Sequence, residues 1–327
     1  MPLAELIDQK PRAGSHVLSL FISPLSASII RALAEGPMRL AELHERTGWP
    51  AESTLRARIA DLQELEAIEK RDLPGMPRKV VICLTPMGDE LRQVADLLER
   101  WLSRAPQTPI ELGTTPAKGA IKALAGGWGS TILRVLAAQP LSLTELDIAI
   151  PDQSYPVLER RLSIMRATGQ VAVLPAEGRN KPYVVTEWVR QAVAPLVWAG
   201  RCERRYMNEV ASPVTHVEVE AAFLLAMPQI RLPASADGAC VLGVGTQPRE
   251  GDEEGRSIAG VEVLIDRGKL ISCTPELTTN PPTWAIGTVD SWLHAVTEGE
   301  SNGLHLGGRN PKLAQSLIEG LADALRA

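Results

Sequence analysis

Residues 36–85 read GPMRLAELHERTGWPAESTLRARIADLQELEAIEKRDLPGMPRKVVICLT, and this stretch decides the fold of the first hundred residues. Leu40 and Leu43 stand three apart in a short polar segment, the spacing of one helical face. Gly48-Trp49-Pro50 then breaks the chain, since glycine permits a left-handed turn and proline disrupts a helix interior. Beyond it Leu55, Ile59, Leu62 and Leu65 form a second apolar stripe, while Ser53, Thr54, Arg56, Ala57 and Arg58 lie largely off it. Two β-rich runs, 68–71 and 79–84, flank Leu73-Pro74-Gly75-Met76-Pro77, which predicts a hairpin with Pro-Gly at its tip. Lys70, Arg71, Arg78 and Lys79 make its flanks basic.

Working outward, 24–35 reads as a preceding helix with Leu25, Ile29, Ile30 and Leu33 on one face. A closing helix over 86–103 carries Leu91, Val94, Leu98 and Trp101 on one face, suited to packing against a second module. Helix, helix, break, helix, hairpin, helix is the order of a winged helix-turn-helix module. In such a module the third helix enters the major groove and the wing lies near phosphates. Guanidinium groups at Arg56 and Arg58 fit guanine edges or phosphates, and the wing bases add sequence-independent attraction. Taken alone, two arginines on a helix more often mark a solvated face.

The pattern recurs 103 residues later. Ile29, Arg31, Leu33 and Pro37 match Ile132, Arg134, Leu136 and Pro140; Leu40, Glu42 and Leu43 match Leu143, Glu145 and Leu146; Leu55, Arg58 and Ile59 match Leu158, Arg161 and Leu162. One fixed offset leaves no insertion inside the three-helix core, and an internal repeat of this kind outweighs the solvated-face reading. Arg160 and Arg161 fall on the second third helix. A second hairpin is expected over 171–186, with Arg179 and Lys181 near its turn, and a closing helix over 187–208.

At 327 residues the chain has room for two or three domains. Its net charge of −5 is unevenly spread. Residues 210–327 hold 8 Lys/Arg against 15 Asp/Glu (−7), 128–209 hold 10 against 8 (+2), and 24–104 hold 12 against 13 (−1). The acidity therefore belongs to the last third, and DNA binding rests on local placement of bases. There is no apolar run long enough to span a membrane and no leader-like N-terminus, so a cytoplasmic protein without membrane association is expected. Cys83, Cys202, Cys240 and Cys273 are scattered, and the five histidines share no ligand spacing, which implies neither metal nor cofactor. No nucleophile elbow, phosphate loop or metalloprotease motif appears, and Gly243-Val244-Gly245 lacks the third glycine of a dinucleotide fingerprint, so no enzyme is expected.

GPMRLAEL, TLRARIADLQEL and LTPMGDEL running to LLERWL resemble the HxlR-type winged-helix transcriptional regulators over 24–102. That resemblance implies that the third helix reads DNA and the closing helix helps form a dimer. It assigns Ser53, Thr54, Arg56 and Arg58 to the third helix and Arg78 and Lys79 to the wing. Residues 128–206 look like a diverged second copy, with Ser154, Tyr155, Arg160 and Arg161 in the corresponding places. It departs by having Glu159 opposite Arg56 and Thr186-Glu187-Trp188 where the first copy has Thr-Pro-x-Gly. The first copy in turn has Val81 where the family often has an aromatic residue, and the second keeps Tyr183.

From residue 210 the composition changes to Gly-rich, β-branched runs (239–246, 257–265, 270–274) and two helices, 289–297 and 311–326, an α+β pattern. GVEVLIDRGKLIS, TWAIGTVDSWLHAVTEGE and LHLGGRNPKLAQSLIEGLADAL resemble the sterol-carrier-protein domain. The resemblance implies a tunnel between sheet and helices for an apolar ligand, with Trp284, Trp292 and Leu293 as lining candidates; plain core packing is the competing role for these tryptophans.

The expected architecture is mainly α with winged-helix β-hairpins, as two winged helix-turn-helix modules (1–104 and 128–209, joined by a linker at 105–127), followed by an α+β domain at 210–327. The expected function is a DNA-binding transcriptional regulator, a repressor, in which the tandem modules act as a pseudo-dimer on double-stranded DNA. It would act as a monomer or a further homodimer, with a hydrophobic small-molecule effector. The alternatives are a protein that sequesters a hydrophobic drug or lipid without binding DNA, and a lipid carrier.

Overall fold

Glycines and N-caps set the boundaries of the first helices in the computed structural model, which describes residues 14–73, 79–176, 180–207, 214–245 and 258–326. By contacts the chain forms two units, one built from 15–125 with 198–207 and one from 126–197 with 214–326.

In the first unit α1 (His16–Leu20) starts at Ser15, whose hydroxyl accepts from Leu18 N–H, and it buries Val17 and Leu18. Helix α2 (Pro24–Ala34) has proline in its first turn, where the missing N–H costs nothing. It gives way at Gly36, with φ +143°. Helices α3 (Leu40–Arg46) and α4 (Glu52–Glu64) are separated by Gly48 and Trp49 at φ +80° and +56°. Leu43, Leu55, Ile59 and Leu62 form the expected stripe and are buried. Strands β1 (Ile68–Leu73) and β2 (Lys79–Leu84) pair antiparallel from Ile68↔Leu84 to Leu73↔Lys79, and Met38 bridges to Ile82 on the far side. Helix α5 (Pro86–Ser103) buries Leu91, Val94, Leu98 and Trp101.

Two expectations are revised here. The stretch expected as a linker contains α6 (Thr115–Ala125), with Ala117, Ala120, Ile121 and Leu124 buried. The apolar spacing is helical, but alanines carry it and Pro116 falls in the first turn, where it starts a helix rather than breaking one. The N-terminal extension likewise contributes α1 to the core.

The second unit begins with α7 (Gly127–Ala138), α8 (Leu143–Ala149) and α9 (Tyr155–Ala167), then β3 (Val171–Val173) paired with β4 (Tyr183–Val185). The bounds of α8 and α9 lie 103 residues after those of α3 and α4. Local hydrogen bonds recur at the same interval. Glu42 accepts from Arg39 N–H, and Glu145 from Ser142 N–H, at 2.8 and 2.7 Å. Past the hairpin the interval shortens to 101 residues: Thr85 donates to Glu66 O and Thr186 to Gly169 O, at 2.6 and 2.7 Å, each threonine capping the next helix. Leu141 bridges to Tyr183 as Met38 does to Ile82. The single closing helix expected over 187–208 is two: α10 (Glu187–Gln191) and α11 (Val193–Tyr206). Pro195 explains the break, because its ring excludes the carbonyl of Gln191 from a continuous helix.

Residues 198–207, the end of α11, belong to the first unit. There buried Glu203 accepts from Ser15 Oγ at 2.7 Å and Val17 N–H at 2.9 Å. Glu90 of α5 takes Arg205 at 3.0 Å.

The remainder of the second unit opens with α12 (His216–Ala226), which the sequence reading missed. It is apolar on nearly all sides, so it shows no amphipathic period, and it buries Val219, Phe223, Leu224 and Leu225. A 3-10 turn, Met227–Gln229, follows. Strands β5 (Gly238–Gly245), β6 (Ile258–Asp266), β7 (Lys269–Thr274), β8 (Thr283–Gly287) and β9 (His305–Gly308) form one sheet in the order β7-β6-β5-β8-β9. β5 and β8 run parallel and the other pairs antiparallel. Helices α13 (Val289–Glu298) and α14 (Pro311–Arg326) complete it. Trp284 lies on β8, and its ring covers Gly307, where a Cβ would meet it at 2.3 Å. Trp292 is fully buried, donates its indole N–H to Gly243 O at 2.8 Å and meets Phe223 edge-on at 4.8 Å. Leu293 is buried beside it.

Candidate nucleic-acid interface

Helix α4 turns its apolar stripe inward and leaves Ser53, Thr54 and Arg56 exposed and Arg58 half-buried. At about 100° per residue, Arg56 and Arg58 stand on opposite flanks of the helix, with Ser53, Ala57 and Ala60 between them. Each is held by an acid of its own helix. Arg56 Nε and Nη2 donate to Glu52 Oε1 at 2.9 and 2.6 Å, and Arg58 pairs with Asp61 at 3.1 Å. The Arg56 hydrogen bond, and then its charge, holds the Glu52 carboxyl below its ordinary range. The flank of α4 thus presents a carboxylate next to a guanidinium, acceptor beside donor.

On the wing, Lys70 and Arg71 are exposed, and Arg71 pairs with Glu69 at 2.5 Å. Lys79 opens β2 opposite Leu73. Arg78 and Arg179 lie outside the described residues. A residue read from sequence only as part of a break stands out: Trp49, in the turn between α3 and α4, is 67% exposed. Its left-handed backbone turns the ring outward against His44, edge-on at 4.8 Å, while His44 Nε2 meets Pro50 O at 2.7 Å. A tryptophan following glycine in a helix-helix turn was the available signal.

The corresponding face of α9 differs. Ser154 occupies the N-cap position of α9 without a side-chain capping bond, Tyr155 and Arg160 are exposed, Arg161 is half-buried and Lys181 is exposed beside β4. Burial, then repulsion from Arg160, lowers the Arg161 guanidinium from its usual value; an arginine so shifted still carries its charge. Helix α4 holds two arginines against Glu52, Asp61 and Glu64, whereas α9 holds Arg160, Arg161 and Arg166 against Glu159 alone. By charge, the second helix is the more basic one. Its surroundings are also more apolar, with Ile148 75%, Ile164 48% and Tyr155 44% exposed.

Among the described residues no group of His, Cys, Asp and Glu is arranged to hold a metal ion, and no helix is long and apolar enough to cross a membrane.

Residues 25–108 match the family described as HxlR-like helix-turn-helix. The HTH-type transcriptional regulator YodB of Bacillus subtilis (strain 168) is 33% identical over 73 residues, which make up 22% of this chain and 65% of that protein. The crystal structure of the diamide-treated YodB from B. subtilis is similar at 30% identity, covering 27% of this chain and 86% of that one, with a TM-score of 0.25. An HxlR-type helix-turn-helix domain therefore accounts for 25–108, with α4 as its third helix and β1–β2 as its hairpin.

Proposed function

We propose that the chain is a DNA-binding transcriptional regulator, a repressor, in which two winged helix-turn-helix modules in one polypeptide do the work of a dimer. The observation that carries the reading is the free outer face of α4, where Ser53, Thr54, Arg56 and Arg58 take no part in the core of an HxlR-type domain. Glu52 and Arg56 supply the acceptor and donor that cytosine N4 and guanine O6/N7 require. Thr85 and Thr186, and the bridges at Met38 and Leu141, support a second module over α7–α11. In this reading 1–104 and 128–209 are the modules, and α6 is a packed connector between them. A duplex site then carries two unequal half-sites about one helical turn apart.

The α+β domain over 210–327 is proposed as the sensor of a hydrophobic small molecule, on its resemblance to sterol carrier proteins. Trp284 is the stronger lining candidate of the three, because Trp292 and Leu293 are packed into the core.

The test is binding of the full chain to DNA fragments around its own promoter over a salt series, with Arg56→Ala/Arg58→Ala alongside. Sequence-selective, salt-sensitive binding that the double substitution weakens is expected. Binding no tighter than to random DNA defeats the regulator and leaves the sequestering protein as the better account.

A further inference from the structure

Among the described side chains Trp49 is the most exposed aromatic, at 67%. An indole is mostly apolar, and leaving it in water forgoes the gain of burying it. The turn between α3 and α4 nonetheless fixes it there. Trp49 N–H donates to His44 O at 3.0 Å and Gly48 N–H to Glu45 O at 3.1 Å, closing the end of α3. The Trp49 backbone is left-handed, at φ +56°, and the Pro50 ring locks the next φ. On its other side the ring meets His44 edge-on at 4.8 Å, and His44 Nε2 lies 2.7 Å from Pro50 O. The indole N–H has no hydrogen-bond partner among the described residues. A rigid plate with an unused donor therefore stands outside the core.

Helix α4 begins three residues later, at Glu52, and Glu52, Ser53 and Thr54 are exposed. In a helix-turn-helix the N-terminal residues of the third helix reach base edges in the major groove. The turn before that helix then lies at the rim of the groove, where the nearest DNA groups are phosphates and sugars. A neutral N–H donor on an apolar ring suits such a place, and a side chain already immobilised loses little freedom on binding. The proposed second module differs here: exposed Asp152 stands 103 residues after Trp49. A carboxylate repels phosphate, so the feature belongs to the first module alone.

We propose that Trp49 is a DNA-backbone contact that seats α4 in the major groove, its indole N–H donating to a phosphate oxygen and its ring covering the adjoining sugar. The contact rests on the DNA-binding reading of α4 and deepens it. It adds affinity and orientation, and leaves the choice of bases to α4 itself.

The full-length wild type, Trp49→Phe and Trp49→Ala are compared on a promoter fragment and on random DNA over a salt series. Trp49→Ala should weaken binding to both by about tenfold, the size of one hydrogen bond to a charged acceptor. Trp49→Phe keeps a ring and loses the donor, and should fall between. Neither should change the slope of log affinity against log salt, because a neutral donor displaces no counterion. In protein labelled with 5-fluorotryptophan, the fluorine resonance missing from Trp49→Phe should shift saturably as DNA is added. If Trp49→Ala melts early, Trp49→Phe and the fluorine shift decide the matter by themselves. The contact is overturned if the folded variants bind as wild type, if the resonance does not move at saturating DNA, or if the loss is confined to one sequence. Those outcomes, with wild type still binding selectively, remove the contact and leave the reading of α4 standing. A wild type without selective DNA binding defeats that reading and the contact with it.

Discussion

Arg134 and Glu220 form a buried ion pair in the second unit, with side-chain exposures of 7% and 3%. The second oxygen of Glu220 accepts from Gly260 N–H at 3.2 Å, so a single carboxylate joins α7, α12 and β6. The sequence offered Arg134 only as the repeat of Arg31, and gave no hint of its partner 86 residues on.

Removing Glu220 strands the arginine in a dry setting, where an uncompensated charge costs roughly 3–5 kcal/mol. Glu220→Ala should lower the unfolding free energy in urea by about that amount, and Arg134→Met/Glu220→Leu should recover most of it. A loss below about 1 kcal/mol for the single variant would contradict the burial described here.

Glu66 adopts φ +57° at the end of α4, where Gly169 adopts φ +78° at the end of α9. A left-handed position after a helix suits glycine and strains other residues. Glu66→Gly is therefore expected to raise stability by about 0.5–1 kcal/mol, and Gly169→Ala to lower it by about 1. Calorimetric melting midpoints moving in opposite directions would bear this out; a fall for Glu66→Gly counts against it.

If α9 contributes more phosphate contact than α4, as its charge implies, Arg160→Ala/Arg166→Ala should reduce the slope of log affinity against log salt by about 2. Arg56→Ala should relax sequence choice more than it changes that slope, because Arg56 sits beside an acid that supplies the matching acceptor. Equal slopes for wild type and the α9 double variant would assign the electrostatic work to α4 and the wing.

Burial pushes the thiols of Cys202 and Cys240 up to about 12. At pH 8.5 only about one thiol in three thousand is then ionised. Neither should react with iodoacetamide in the native protein, and both should react in denaturant. Since the folded values lie above the unfolded one of 9.0, their contribution to stability is intact below about pH 9 and declines as pH rises toward 12. Alkylation of native Cys240 at pH 8.5 at the denatured rate would refute the assignment.

The three-helix order was legible because its signals are local. Stripes such as Leu55, Ile59 and Leu62 obey a helical period, and Gly36 and Gly48 mark turns that other residues resist. What escaped was carried by small or uniformly apolar residues. Helix α6 has two faces, but alanines carry most of its apolar one, and α12 is buried on most of its surface and shows little contrast between faces. The site was legible only as a set of residue types. The Glu52–Arg56 pair has the i,i+4 spacing of one helix, whereas the outward turn of Trp49 depends on backbone directions that spacing alone does not encode.

The first unit is interrupted in sequence, closing only with residues that follow 198. During synthesis Ser15, Val17 and Glu90 emerge long before Glu203 and Arg205 exist to meet them. At typical elongation rates of 5–20 residues per second, the 81 residues from Ala125 to Tyr206 impose a delay on the order of 4–16 s. The nascent first unit therefore waits on the ribosome with Glu90 exposed and α1 uncapped by Glu203. Translation speed through α7–α11 then sets when the N-terminal third can finish folding.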